Sequence, residues 1–296
     1  MNGCDSTLKF PYNEISMNYT VIVPALNEAQ GIASVIDRLL MLVPMPEIIV
    51  VDDGSTDETG DIAKTKGVKV LTHPISGGYG RSIKDGMAMA MNDVIVITDA
   101  DGTYAIERIP DMLRELERGQ EMVVGARQGK HYRGAFLKMP ARIVFKWLVE
   151  FTTGRRIPDI NSGLRTFRKS QLQPYLDDLC NGFSFTTTIT LVYCLTGKFV
   201  SYIPIDYTER IGHSKVRIIR DSMRTLQYII EVISVYNPLK LFILISGMLG
   251  LFALLSILEF LLLGDVVGLL LGSVFLVGGS ILFGMGLLTH SQGCRR

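Results

Sequence analysis

The chain has 296 residues, 48% of them hydrophobic and 20% charged, and its 30 basic and 29 acidic side chains leave a formal net charge of +1. A balance this close to zero sets up no general basic field, which argues against nucleic acid as a partner. Cys4, Cys180, Cys194 and Cys294 lack C-x-x-C spacing and histidine companions, so they read as reduced thiols in a cytosolic environment rather than a structural zinc site.

Residues 1–18 are polar and broken by Pro11, with neither a basic start nor an apolar stretch, and read as a tail rather than a cleavable signal peptide. Tyr19 to Val23 reads as a short apolar strand ending at Pro24. From Glu28 to Val43, Ile32, Val35, Ile36, Leu39, Leu40 and Val43 recur at helical spacing. Ile48 to Val51 is a second buried strand, followed by Asp52-Asp53-Gly54-Ser55-Thr56-Asp57 and a helix from Glu58 to Lys66. Val68 to Leu71 is a third, and the glycine-rich turn His73 to Gly80 leads into a helix from Ser82 to Met91. Val94 to Thr98 is the fourth, ending at Asp99-Ala100-Asp101. This alternation of continuous apolar strands with helices predicts a parallel sheet covered on both faces. Ligands of such sheets collect outside the carboxyl ends of the strands, where Asn27, Asp53 and Asp99 all fall. Three polar clusters far apart in sequence are therefore expected to share one cleft.

Further along, Met122 to Gly125 reads as a strand, Met139 to Phe151 as a helix, and Asp159 to Arg165 as a polar turn before the strand-like Thr166-Phe167. Ser184 to Leu195 reads as a buried helix and Phe199 to Ile205 as a last strand. In the next segment Lys215, Arg217, Arg220 and Arg224 precede a mixture containing Ile229, Ile230, Val232, Ile233 and Val235, the pattern of an amphipathic helix lying on a membrane surface. From Leu239 to Leu288 the only formal charges are Lys240, Glu259 and Asp265. Leu239 to Leu263 and Val266 to Leu288 are each long enough to cross a hydrocarbon core of about 30 Å. Only Gly264-Asp265 separates them, so they form an antiparallel hairpin, and the basic residues flanking both outer ends place those ends in the cytoplasm. Their many glycines allow close helix packing and leave room for a homo-oligomer. The predicted organisation is a tail over 1–18, a catalytic domain over 19–214, a juxtamembrane helix over 215–238, a transmembrane hairpin over 239–289 and a cytoplasmic tail over 290–296.

Paired carboxylates at a strand end can hold a divalent cation against a diphosphate, so Asp101, assisted by Asp99, is a candidate site for Mg²⁺ or Mn²⁺. With a membrane hairpin downstream, the expected reaction is transfer of a sugar from a nucleotide-sugar to a lipid at the bilayer. Asp52 and Asp53 could accept hydrogen bonds from a base and ribose, or form an Asx-turn and cap the next helix. Gly77-Gly78-Tyr79-Gly80 with Arg81 and Lys84 could approach phosphates or serve as a structural turn. A phosphate acceptor is already anionic near neutral pH and demands no strong base, so His73, His131, His213 and His290 receive no catalytic role.

Taken in order, Val23-Pro24-Ala25-Leu26-Asn27-Glu28, Val51 to Asp57, Asp99-Ala100-Asp101-Gly102, Val124-Gly125-Ala126-Arg127, Ser162-Gly163-Leu164-Arg165 and Gly212-His213-Ser214-Lys215 resemble family 2 glycosyltransferases. Within these the chain is similar to the dolichol-phosphate mannose synthase-like, polyprenyl-phosphate branch. The resemblance implies an α/β fold of the GT-A type, a Rossmann-like mostly parallel sheet, with inversion at the anomeric carbon. It implies a GDP- or UDP-hexose donor, mannose or glucose, and a polyprenyl or dolichyl phosphate acceptor. By that resemblance Pro24, Leu26, Glu28, Val51 and Asp53 line the nucleoside pocket, and Asp99, Ala100 and Asp101 hold ribose, metal and diphosphate, with Asp99 and Asp101 the metal ligands. Arg127 and Lys215 correspond to basic residues on the donor diphosphate or acceptor phosphate, and Arg142, Ser162 and Arg210 to further acceptor contacts. Asp101 and Arg127 are the catalytic pair. Thr103 replaces an amide side chain that some relatives carry two residues after the second aspartate. Other readings are transfer to a different lipid or glycan acceptor, and a non-catalytic membrane scaffold. A processive polysaccharide synthase is disfavoured because Trp147, the one tryptophan, lies outside a Gln-x-x-Arg-Trp element, and a nucleotidyltransferase would not require the hairpin.

Overall fold

The computed structural model describes residues 17–129, 139–208 and 218–293. Strands β1 (Tyr19–Ala25), β2 (Glu47–Asp52), β3 (Lys69–Thr72), β4 (Val94–Ile97), β5 (Met122–Gln128), β6 (Arg165–Arg168) and β7 (Val200–Asp206) form one sheet in the order β3-β2-β1-β4-β6-β5-β7. Helices α1 (Ile32–Leu40), α2 (Thr59–Thr65), α3 (Tyr79–Met89), α4 (Ile109–Glu117) and α5 (Met139–Thr153) alternate with the first strands. They are followed by the single turn α6 (Lys169–Leu172), then α7 (Phe185–Leu195), α8 (Ile218–Tyr236), α9 (Pro238–Leu263) and α10 (Val266–Gly293).

Successive strand residues point to opposite faces, and the sequence keeps both faces apolar. Ile22, Ile49, Ile95 and Val124 join one core with α3, α5, α7 and α8. Val21, Val50, Val96 and Val123 join the other with α1 and α4. Helix α4 has no counterpart among the predicted elements, although Ile109, Met112, Leu113 and Leu116 are buried at i, i+3, i+4 and i+7.

The sheet departs from the expected parallel arrangement at β6, which pairs antiparallel with both β4 and β5. The cause lies in the turn before it. Residues 159–164 sit at the carboxyl end of the sheet, where Ser162 Oγ donates to the carbonyl of Gly125 at 2.6 Å, so the strand that follows has to descend. That insertion brings the turn against the end of β4.

The helix predicted for the membrane surface forms as α8, but its apolar stripe is used elsewhere. Ile229, Val232 and Ile233 are buried in the globular core, where α8 packs on α7. Asn237 alone separates α8 from α9. Helices α9 and α10 are long and apolar enough to cross a membrane, with mean hydropathies of 2.6 and 2.4. Gly264, at φ 70°, allows the reversal between them, and Asp265 Oδ1 accepts the amide of Val267 at 3.0 Å to start α10. Gly272 and Gly286 of α10 face α9 so closely that a Cβ would lie 2.7 Å from Ile257 and 2.5 Å from Phe242.

Candidate active site

The loops after β1, β2 and β4 meet at the carboxyl edge because their strands are neighbours. Asn27 reverses the chain after β1 at φ 50°, a left-handed turn that asparagine tolerates better than most residues. Its Oδ1 accepts the amide of Thr56 at 2.7 Å, its own amide donates to Ser55 Oγ at 2.9 Å, and the amide of Glu28 donates to Thr59 Oγ1 at 2.8 Å. Two motifs nearly thirty residues apart are thereby locked into one wall.

Asp52 accepts the amide of Ser55 at 3.0 Å, the Asx-turn expected of it. Asp53 organises the glycine-rich turn. One oxygen lies 2.7 Å from His73 Nδ1 and accepts the amide of Gly77 at 2.8 Å; the other accepts Ser76 Oγ at 2.7 Å and the amide of Gly78 at 2.9 Å. Burial pushes this carboxyl up, but His73, Ser76 and the two amides outweigh it and hold it below the usual carboxylate range. A group depressed in the folded state stabilises the fold above its unfolded pKa and loses that contribution as pH falls through the lower folded value. Asp53→Asn is therefore expected to cost about 1–3 kcal/mol near neutral pH, because an amide hydrogen then faces the amides of the turn. In thermal unfolding of the full chain in detergent, its deficit against wild type should shrink as pH falls below the ordinary aspartate value of 3.8 toward the lower folded one.

At the end of β4 the two aspartates have different surroundings. Asp99 Oδ1 accepts the hydroxyl of Tyr79 at 2.9 Å, and burial together with the Asp99 charge pushes that phenol well above its ordinary value. A Cβ on Gly163 would lie 2.6 Å from the same oxygen, so the turn before β6 closes over Asp99 only because it carries glycine there. Asp101 is buried, and its Oδ1 accepts both the hydroxyl of Thr103 at 2.7 Å and its amide at 3.1 Å. Thr103 thus holds the second carboxylate in place.

A cleft of about 810 Å³ opens over these groups. Pro24, Leu26, Glu28, Asp53, Asp99, Ala100 and Asp101, all anticipated from the sequence, line it. The turn Ser76 to Tyr79 forms part of its wall, and Asn181 to Phe183 another part. The roof comes from α8, where Arg220, Arg224, Gln227 and Tyr228 face the acidic floor. Arg220 and Arg224, read from the sequence as part of an amphipathic helix on a membrane surface, line the cleft. Their helical spacing of four gives one face, but only the packing of Ile229 and Ile233 on the core decides where that face points.

Several anticipated residues lie elsewhere. Val51, in β2, is fully buried against α3 and does not line the cleft. Ser162 is fully buried with its hydroxyl donating to the carbonyl of Gly125, and it does not line the cleft. Arg127 is gripped by Asp159, with Nε 2.7 Å from Oδ2 and Nη2 2.9 Å from Oδ1, and lies 5.4 Å over the ring of Tyr207. Burial raises the Asp159 carboxyl, but the Arg127 guanidinium beside it keeps it below its ordinary value. Arg142 belongs to α5, while Arg210 and the Gly212 to Lys215 motif lie outside the described residues.

Among the described residues no group of three or more His, Cys, Asp or Glu side chains converges on a point suited to a metal. Two carboxylates on one cleft floor nevertheless suit Mg²⁺ or Mn²⁺, which take oxygen ligands and commonly complete their shells with water and substrate phosphates.

The sequence model of glycosyl transferase family 2 matches residues 20–179. An undecaprenyl-phosphate mannosyltransferase of Micrococcus luteus is 31% identical over 216 residues, 68% of this chain and 88% of that protein. The undecaprenyl-phosphate 4-deoxy-4-formamido-L-arabinose transferase of Salmonella choleraesuis is 26% identical over 294 residues, 93% of this chain and 88% of that protein, so this similarity extends into the apolar tail. Among solved structures, glucosyl-3-phosphoglycerate synthase from Mycobacterium tuberculosis superposes with a TM-score of 0.59 at 22% identity, over 75% of this chain and 80% of that one. The same enzyme in complex with Mn²⁺, uridine diphosphate and glucosyl-3-phosphoglycerate gives a TM-score of 0.57 at 20% identity. This likeness is one of fold, the GT-A type, whose mostly parallel sheet the strand order above reproduces. The apolar hairpin and the lipid-phosphate relatives together mark a membrane protein. With its motifs gathered at one sheet edge and more than half its length matched, the chain belongs to glycosyl transferase family 2 and is a glycosyltransferase.

Proposed function

We propose that the protein transfers a hexose, mannose or glucose, from a GDP- or UDP-sugar to a polyprenyl or dolichyl phosphate, with inversion, at the cytoplasmic face of a membrane. The observation that carries this reading is the composition of the cleft. Its floor is acidic, and its roof carries two arginines on a helix that runs, with one residue between, into the first membrane span. A phosphate tethered to a lipid would approach from that side. Anionic lipid phosphate needs positive partners, and arginine suits it through charge-assisted, bidentate hydrogen bonds.

Asp99 and Asp101 would hold Mg²⁺ or Mn²⁺, which supplies Lewis-acid stabilisation of the diphosphate leaving group. Pro24, Leu26 and Glu28 bound the nucleoside, and Asp53 shapes the turn of Ser76 to Gly78 beside it. One oxygen of the lipid phosphate attacks the anomeric carbon as the bond to the nucleoside diphosphate breaks, and the negative charge passes to the departing diphosphate. The acceptor oxygen carries no proton to remove, so no histidine base is required. Arg220 and Arg224 position the acceptor phosphate. Arg142, Arg210 and Lys215 are assigned to the same phosphate by the family resemblance, and Arg127 acts through Asp159 by fixing the end of β5. The catalytic domain and both outer ends of the hairpin lie in the cytoplasm.

The test is purified full chain in detergent, offered GDP- and UDP-sugars with polyprenyl phosphate or with a soluble phosphate acceptor such as 3-phosphoglycerate. A sugar-phosphate-lipid product is expected. Transfer to the soluble acceptor alone would overturn the reading. Arg224→Ala should lower kcat/KM for the lipid acceptor about 10- to 100-fold while leaving nucleotide affinity unchanged, the size expected for one charge-assisted contact.

A further inference from the structure

His73, which the proposed chemistry does not use, sits just after β3 with its side chain 13% exposed between two carboxylates. Its Nδ1 lies 2.7 Å from Asp53 Oδ1. Its Nε2 is buried with no hydrogen-bond partner, yet lies 3.2 Å from Asp85 Oδ2 on α3. The same oxygen of Asp85 accepts Nε of Arg81, one turn earlier on the helix, at 2.6 Å. Asp53 from the end of β2 and Asp85 from α3 are the ion-pair partners of the ring among the described residues, with Arg81 bound to Asp85.

A neutral imidazole carries one N–H and can serve one of these carboxylates. Whichever tautomer it takes, the other ring nitrogen turns a lone pair toward an oxygen. The imidazolium donates on both sides, so the charge of the ring decides whether the end of β2 and α3 are drawn together. Between them runs part of the cleft wall. The hydroxyl of Ser76 and the amides of Gly77 and Gly78 all bond to Asp53, and α3 begins at Tyr79, whose hydroxyl bonds to Asp99. On the opposite side, the start of α3 is held by backbone bonds alone: the amide of Gly80 donates to the carbonyl of Gly182 at 3.2 Å and that of Arg81 to the carbonyl of Asn181 at 3.0 Å. Those bonds carry no titrating group, whereas the His73 side can loosen as pH rises.

We infer that His73 is a positioning residue for the sugar-nucleotide donor: its imidazolium clamps the glycine-rich turn between Asp53 and Asp85, and loss of the proton slackens that wall of the cleft. The protonated ring carries the contact, so the clamp is intact at low pH and weakens through the range in which histidine changes charge. Arginines keep their charge throughout, so the roof of the cleft does not share this dependence. The clamp is independent of the sugar chemistry; its effect on the donor rests on the function proposed above.

Two measurements on the full chain in detergent, between about pH 6 and 8.5, test it. Hydrogen–deuterium exchange of the Ser76 to Gly80 segment, corrected for the intrinsic pH dependence of exchange, reads the clamp without ligand. Protection should fall about 3- to 10-fold across that range in wild type, the loss of one charge-assisted contact that water partly screens. In Asp85→Asn it should hold its low-pH level, because a side-chain amide can donate to a neutral Nε2 and accept from a protonated one. Titration with UDP-glucose and GDP-mannose in Mg²⁺ reads the consequence, since their doubly esterified diphosphates gain or lose no proton in this range. The Kd of the donor that binds should rise by a similar factor in wild type and stay level in Asp85→Asn. Protection that is independent of pH in wild type, an equal fall in Asp85→Asn, or a donor Kd that ignores the change in protection would overturn the inference. A pH-dependent clamp with neither nucleotide bound at any pH would support the clamp and overturn the donor reading instead.

Discussion

Asp101→Asn is expected to reduce sugar transfer by at least about 10³-fold with the fold retained, since metal stabilisation of a leaving diphosphate supplies several kcal/mol. The substitution keeps the shape of the side chain, and its amide oxygen can still accept from Thr103, whose hydroxyl and amide both reach Oδ1 in the wild type. What it removes is the negative charge. Chelation of divalent ions should reduce wild-type turnover to a similar level and leave the variant little changed. Measurement is by product formation at saturating lipid acceptor, with circular dichroism as the check on folding. A variant retaining most of its turnover would show that the acidic floor does not carry the reaction.

Asp159→Ala is expected to be the most destabilising single change near the site. The carboxylate is almost wholly buried at 2% exposure, it accepts Nε, Nη2 and the amide of Arg127, and it also accepts the amide of Asn161 at 3.2 Å. Removing it strands the Arg127 guanidinium, itself 13% exposed, in a poorly solvated position. Breaking a buried pair in this way costs about 3–5 kcal/mol, a fall of roughly 6–20 °C in the melting midpoint for a domain of this size. Adding Arg127→Met to Asp159→Ala should recover much of the loss, because the stranded charge goes too. Thermal unfolding of the single and double variants measures the coupling. If Arg127 instead served mainly to bind phosphate, Asp159→Ala would leave the midpoint in place and change KM.

The first half of the sheet was legible because its strands are continuous apolar runs that stop at acids, and a run such as Val94 to Ile97 buried on both faces has few other readings. Position at the carboxyl edge then followed from topology, and seven of the anticipated residues do meet in one cleft. Strand β6 was harder, because four residues carry no period and nothing local says which way they run. The partners of Asp53 and Arg127 were hidden for a different reason. His73 and Asp159 lie 20 and 32 residues away, and only the neighbourhood of β2 with β3, and of β5 with β6, brings them together. Helix α8 shows a third limit. A stripe of isoleucine and valine satisfies a membrane surface and a protein core equally well, so the amphipathic pattern predicted the helix and left its orientation to packing.

The central claim is that the cleft binds the diphosphate of a sugar nucleotide through an ion held by Asp99 and Asp101. Calorimetric titration of the full chain in detergent with uridine and guanosine diphosphates, each with Mn²⁺ and with chelator, tests it most directly. Binding of one of them that depends on Mn²⁺ and is lost in Asp101→Asn is the predicted result. Equal affinity with and without the ion, or unchanged ion-dependent binding in the variant, would contradict it.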